Sequence, residues 1–335
     1  MKKNVTQKDI AKEANVSREL VSIVLSGKDV DTKRCRPEIR KNILAIASKY
    51  NYRTNRSAAF MKSRRHGSLG FLVKDFGQIQ HDLFATIVPE AKKHACALLL
   101  EQLPEDLNSS VMMLDDYVVD GLIVFSELPE EIMERVEKVQ EPVLYFNTNQ
   151  REGRNVITVA DEQGGYDAVE TLAKAGRKKI AYICWGNVSV EHYSTMARKQ
   201  GIIDGCRKLG LNFVKEIYIN DIPHSPDNFN KVAAIIKEKT ENEDIDGVVL
   251  HSDLLASPFY KAVHNMGKSI PNDYSVISFN NSLVAYSTNP ELTSLGLDND
   301  DVSNKIVTRL IDLINNKEDL DTITVNLKVF NRESV

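Results

Sequence analysis

The sequence predicts an α/β protein in which a small all-helical head precedes a larger core of parallel sheets arranged as two similar lobes. Three observations predict it. Residues 1–66 carry 17 Lys and Arg against 6 Asp and Glu, a net of +11, whereas residues 67–335 carry 26 against 41, a net of −15. The basic segment reads as three short helices, the first two joined by a tight turn. From residue 69 onward, short apolar runs alternate with helical stretches, as in strand–helix–strand units on a parallel sheet. At 335 residues and 42% hydrophobic content, the chain is long enough for two or three units with a sizeable core.

The head is justified helix by helix. Thr6, followed by Gln7, Lys8 and Asp9, reads as an N-cap with an acid in the first turn. Ile10, Ala11 and Ala14 give that helix its apolar face. "NVS" ends it, and Ser17 can cap the next. In "RELVSIVL", Val21, Val24 and Leu25 share one face, while Arg18, Glu19 and Ser22 share the other with Ile23 among them. Pro37 opens a third helix with Ile39, Ile43, Ile46 and Tyr50 at i, i+4, i+7 and i+11. This is a helix-turn-helix pattern, whose second helix enters the DNA major groove and meets base edges with its N-terminal residues. A three-helix bundle that binds protein remains the alternative, and the +11 charge weighs against it.

The core is read from "LGFLV", "ALLLE", "GLIVF", "VLYF", "IAYIC", "GVVLH" and "SVISF". Seven strands over about 265 residues exceed one compact sheet and fit two lobes.

Composition narrows the function. No segment approaches the ~20 apolar residues of a membrane helix. "MKKNVTQKDIAKEA" has no apolar stretch behind its lysines, so a cytoplasmic protein is expected. Cys35, Cys96, Cys184 and Cys206 are scattered, with no C-x-x-C pair and no histidine at ligand spacing, so reduced thiols and no metal are expected. Dinucleotide, P-loop, nucleophile-elbow and zincin motifs are missing, so no cofactor and no enzyme is expected. "EQGGY" reads as helix-entry geometry. A solute-binding protein for import would leave the basic head unexplained.

"VTQKDIAKEANVSRELVSIVLSG" resembles the head of the LacI/GalR family of bacterial transcription regulators, which opens V-T-x-x-D-[IV]-A, continues A-x-V-S and ends V-S-x-V-L-x-G. Thirteen positions match, from Val5, Thr6, Asp9 and Ile10 to Val24, Leu25 and Gly27. The resemblance implies that Arg18 and Glu19 hold the variable base-reading positions, and that Ile23 stands where arginine is usual. Arginine reads guanine in a bidentate pair, glutamate accepts from cytosine, and isoleucine offers only apolar contact, as with a thymine methyl. Thr6, Ser17, Ser22 and Ser26 would complete the contacts, the serines binding phosphates. "KDVDTKRCRP" is longer than the family's connection and puts Arg36 where a capping serine is usual. In "YNYRTNRSAAFMKSRRHGS", Tyr52, Asn55 and Ala58 match the family's hinge helix, and Met61 falls on its minor-groove wedge position. Thr54 replaces the usual proline. The expected division is 1–53 for the head, 54–67 for the hinge and 68–335 for the core.

The core resembles the two-lobed, periplasmic-binding-protein-like core of that family, on "DGLIVF", "GRKKIAYI", "DGVVLHSD", "IPNDYSVISFNN" and "PELTSL". The resemblance implies three crossings between lobes and an effector in the cleft that shifts the lobe angle. It places Arg198 and Ser194 ("STMARKQG"), Asp253 ("HSD"), Asn280 ("FNN" for the usual F-D-D), Asn147 ("YFNTN"), Trp185, Asp75 and Gln78 around that effector. Two amides in place of carboxylates leave Arg198 without a nearby counter-charge, which favours a sugar acid or sugar phosphate over a neutral sugar. The expected protein is a homodimeric regulator, in the commoner family role a repressor, of a carbohydrate-related operon. It would bind a palindromic operator. Nothing after "VFNRESV" offers a heptad helix for a tetramer.

Overall fold

The computed structural model describes residues 5–25, 35–52, 65–74, 81–149, 153–186, 192–220, 222, 226–316 and 318–335. Ser26, Asn55, Ala58, Met61, Asp75 and Gln78 lie outside the described residues. The chain divides into two compact units, Met1–His66 and Gly67–Val335.

In the first unit, α1 (Gln7–Ala14) opens with a capping box. Asp9 N–H donates to Thr6 Oγ1 at 3.4 Å, and Thr6 N–H donates to the Asp9 carboxylate at 2.9 Å. The helix ends at Asn15, whose φ of 54° is a left-handed conformation that asparagine tolerates. Ser17 then caps α2 (Arg18–Leu25), its Oγ accepting from Leu20 N–H at 3.1 Å. α3 (Pro37–Lys49) carries its proline at the first position. Ile10, Val21, Val24, Ile43, Ile46 and Ala47 close a small core among the three helices. Tyr50, expected on that apolar face, is instead 40% exposed, because it follows the last helical turn as the C-cap.

The second unit is built on two six-stranded sheets of the same strand order. The first holds β1 (Ser68–Val73), β2 (Ala97–Gln102), β3 (Leu122–Phe125), β4 (Val143–Phe146) and β5 (Val156–Val159). Between them run α4 (His81–Lys93), α5 (Met112–Asp115) and α6 (Glu130–Val136). The chain then crosses to α7 (Asp161–Lys174), β6 (Lys179–Trp185), α8 (Tyr193–Leu209), β7 (Asn212–Ile219), α9 (Phe229–Thr240) and β8 (Gly247–Leu250). It continues through α10 (Ala256–Asn265), β9 (Ser275–Phe279), α11 (Leu283–Ser287) and β10 (Thr293–Gly296).

α12 (Asn299–Asn316) returns to the first lobe against α4, where Thr86 and Ser303 hydroxyls meet at 2.7 Å. β11 (Ile323–Val325) then pairs with β5, and β12 (Lys328–Phe330) pairs antiparallel with β10. The orders β2-β1-β3-β4-β5-β11 and β7-β6-β8-β9-β10-β12 repeat one pattern, and the chain crosses three times, as expected. β1, β3, β5, β8 and β9 are buried along their whole length, as parallel strands covered on both faces should be. All seven runs read from the sequence are strands; β5, β7, β10, β11 and β12 were not anticipated.

Candidate DNA-reading helix and effector cleft

The first turn of α2 presents Arg18 and Glu19 to solvent, with Ser17 exposed just before them. The apolar face of the helix is spent on the head core, so its N-terminal polar face is what a partner can meet. Ser22 and Ile23 are only half-exposed, so Ile23 is less open than the sequence pattern predicts. Ser17 accepts from Leu20 N–H, a cap that still allows its hydroxyl to donate to a phosphate. Thr6 differs. Its hydroxyl proton goes to the Asp9 carboxylate at 2.7 Å, so the residue serves the helix cap rather than an outside acceptor. Tyr52 packs partly buried against the head core.

The core residues singled out from the sequence gather at the carboxyl ends of the strands, where ligands bind in open α/β sheets. Asn147 follows β4, Trp185 ends β6, Ser252 and Asp253 follow β8, and Asn280 follows β9. Ser194 and Arg198 lie on the first two turns of α8.

Arg198 is 8% exposed and fully engaged on one side. Its Nε donates to Asp161 at 2.7 Å, one amino group donates to the His251 carbonyl at 2.9 Å, and its guanidinium lies 4.3 Å over the Phe279 ring. The expectation that Arg198 lacks a counter-charge is therefore wrong. Asp161, the first residue of α7, supplies it, and Asp161 Oδ2 is buried without a hydrogen-bond partner among the described residues. The pair is brought together by glycines. A Cβ on Gly201 would stand 1.8 Å from the Glu162 carbonyl oxygen, and one on Gly165 would stand 2.2 Å from that of Arg198. "EQGGY" does stand at the entry of α7, as expected, and its Gly165 also serves a close helix crossing.

Asp253 is also corrected. It is completely buried, and its carboxylate accepts from the hydroxyls of Ser278, Ser282 and Ser294 and from Ser282 N–H. Burial pushes its carboxyl above the usual range, and the serine bonds hold it back. It fixes the strand ends and the start of α11 rather than facing a ligand. Asn280 sits at φ 102° and donates to Ser252 Oγ at 3.3 Å. Trp185 packs against the core of its lobe, leaving its ring only partly exposed for stacking.

Two histidines line the same region. His251 Nδ1 lies 2.8 Å from the Tyr182 hydroxyl. Burial, helped by the Arg198 charge, holds its imidazole well below the ordinary histidine value. His192 bridges Ser194 Oγ at 2.7 Å and the Asn147 carbonyl at 2.6 Å, and burial lowers its pKa as well. Neither histidine was singled out in the sequence, although His251 opens the "HSD" stretch, nor were Asp161 and Tyr193, because the partners that give them their roles lie far along the chain. Two surface cavities, about 390 and 260 Å³, lie elsewhere, along α7 against the 326–335 segment. Among the described residues no cluster of His, Cys, Asp and Glu could hold a metal, and no helix is long and apolar enough to cross a membrane. A separate apolar patch is formed by Leu283 (76% exposed) and Tyr286 (51%), three residues apart on α11.

Comparison with known proteins matches residues 6–55 to the model described as "Bacterial regulatory proteins, lacI family" and residues 169–335 to "Periplasmic binding protein-like domain". Catabolite control protein A of Priestia megaterium is 27% identical, over 97% of this chain and 96% of its own length. The structure of a Lac repressor dimer bound to operator and an anti-inducer matches with a TM-score of 0.74 at 18% identity, covering 99% of each chain. A cellobiose complex of the regulator CelR matches with a TM-score of 0.66, also at 18% identity, covering 99% of this chain and all of its own.

Proposed function

Starting from a chain that belongs to the LacI/GalR family of bacterial transcription regulators, we propose that it acts in the cytoplasm as a homodimeric repressor of a carbohydrate-related operon. Each head reads half of a palindromic operator, and a sugar in the interlobe cleft changes the lobe angle. The observation that carries this reading is the exposed, charged first turn of α2 on a head whose net charge is +11. Arg18 reads a guanine and Glu19 a neighbouring cytosine, while Ser17 and Ser22 hold phosphates. The protein works by binding and conformational change rather than by catalysis.

The effector we favour is a neutral sugar. Asp161 already neutralises Arg198, and His192 and His251 are held neutral by burial, so among the described residues the floor of the cleft offers no surplus positive charge for an acid or phosphate. Arg198, Ser194, Asn147, Asn280 and Ser252 supply the donors and acceptors that hydroxyls need. The second copy seats on the Leu283–Tyr286 patch, an apolar surface costly to leave in water. Leu283→Asp should convert the dimer to monomer in analytical ultracentrifugation; an unchanged dimer would move the interface elsewhere.

Selection of bound sequences from random duplex DNA tests the whole reading. A two-fold motif whose affinity falls steeply with salt is expected, because phosphate contacts release counterions. No enriched motif would reject it.

A further inference from the structure

The start of α8 belongs to the second lobe, yet its polar groups are bonded to the first. Tyr193 donates its hydroxyl proton to Asn147 Oδ1 at 2.8 Å, and the Tyr193 hydroxyl oxygen accepts from Val159 N–H at 3.1 Å. Tyr193 N–H donates to Asn149 Oδ1 at 2.8 Å. His192 Nε2–H donates to the Asn147 carbonyl at 2.6 Å, while its Nδ1 accepts from Ser194 N–H at 3.3 Å and faces the Ser194 hydroxyl. The two rings lie 4.6 Å apart, tilted by 37°. Asn147 is preset for this contact by its left-handed backbone (φ 53°), which turns the chain just after β4.

We infer that Tyr193 and His192 form a latch between the lobes, in which the Tyr193 hydroxyl takes the place of an effector hydroxyl on Asn147 and Val159. With Asn147 and Ser194 bonded to Tyr193 and His192, two of the groups expected to grip the effector are occupied by the protein's own side chains. A ligand hydroxyl reaching Asn147 has to displace Tyr193 and thereby releases one lobe from the other. The regulatory part of this inference rests on the reading above; the latch itself does not.

Four bonds converge on three residues, and the Val159 amide reports on one of them directly. Hydrogen exchange on the full-length, sugar-free protein, read by mass spectrometry with and without Tyr193→Phe, is the test. The variant should lose about tenfold in protection at Val159, the scale of one lost hydrogen bond. Ile157 and the strands of both sheets should stay protected, which shows that the fold is intact. Asn147→Asp keeps an acceptor for the hydroxyl and should preserve the protection. Asn147→Gly keeps the left-handed backbone without the acceptor and should lose it.

Unchanged exchange at Val159 in Tyr193→Phe would overturn the latch, as would equal losses throughout the core. The operator selected by the wild-type protein supplies the second readout: Tyr193→Phe should shift its Kd at least about threefold, in either direction. Altered exchange with an unshifted Kd would overturn the regulatory role alone. A wild-type protein that selects no operator would instead reject the proposed function and leave the exchange result standing.

Discussion

Arg18 and Arg198 carry the same guanidinium to opposite uses, and the difference is their surroundings. Arg18 is exposed on the first turn of a helix that buries its other face, so its fork of donors is available to a base edge. Arg18→Ala should cost about 1–3 kcal/mol on the preferred operator and relax selection at one base pair per half-site. Binding titrations against operators varied at each position would show this; an equal loss on every sequence would mark a phosphate contact instead. Arg198 is spent inward on Asp161, the His251 carbonyl and the Phe279 ring. Asp161→Asn leaves that buried cation without its counter-charge, a change that typically costs about 3–5 kcal/mol. Chemical denaturation should show a loss of that order. Calorimetry on the surviving fold should show sugar phosphates gaining on neutral sugars. A variant as stable as wild type, with unaltered preference, would mean that the pair does not govern the cleft.

At the scale of elements, the crossing of α7 and α8 sets the geometry of the cleft, because it brings Asp161 to Arg198. Gly201→Ala drives a methyl into the Glu162 carbonyl, with backbone on both sides and no side chain to yield, so the helices have to separate. Overpacking of this kind costs about 1–3 kcal/mol or more. Gly205, one turn further along, has 3.3 Å to Val169 Cβ, so Gly205→Ala should be nearly neutral once the gain in helix propensity is counted. Thermal melting of the two variants separates close approach from mere helix preference. The same crossing shows what the sequence could disclose. Helical periods in the head and continuous apolar runs in the core are local signals, and each became the element it indicated. β10 is hidden because its Thr293 and Ser294 are polar yet buried, their hydroxyls bonded to Arg332 N–H and Asp253. β7 is a half-buried edge strand, and β11 and β12 are three residues long. The Arg198–Asp161 pair spans 37 residues and two helices, so no local spacing encodes it.

For the whole molecule, the cleft makes the stability of the core depend on pH. His192 and His251 are both held below the ordinary value of 6.5, chiefly by burial, with Arg198 adding to the effect at each. The bond to the Asn147 carbonyl, then Asp161 and Glu127, oppose it at His192 without reversing it. Well above pH 6.5 both histidines are neutral in the folded and unfolded chains and exert no pull. As the pH falls below 6.5, the unfolded chain takes up protons that the folded core refuses, so the unfolding free energy declines until the folded pKa values are reached. Asp253, whose carboxyl is raised, acts with the opposite sign: the folded chain takes up a proton there before the unfolded one does, which restores some stability on acidification. That effect runs from the raised folded value down to the ordinary 3.8, so it offsets part of the loss that the two histidines cause. Urea unfolding followed through Trp185, the only tryptophan, should therefore give a lower midpoint at pH 5.5 than at pH 7.5. His192→Gln keeps a donor and an acceptor near Asn147 and Ser194 but cannot titrate, so it should reduce the difference between the two midpoints. A difference of undiminished size in His192→Gln would assign the pH dependence to His251 alone, and equal midpoints in the wild-type protein would mean that neither histidine is held neutral by the fold.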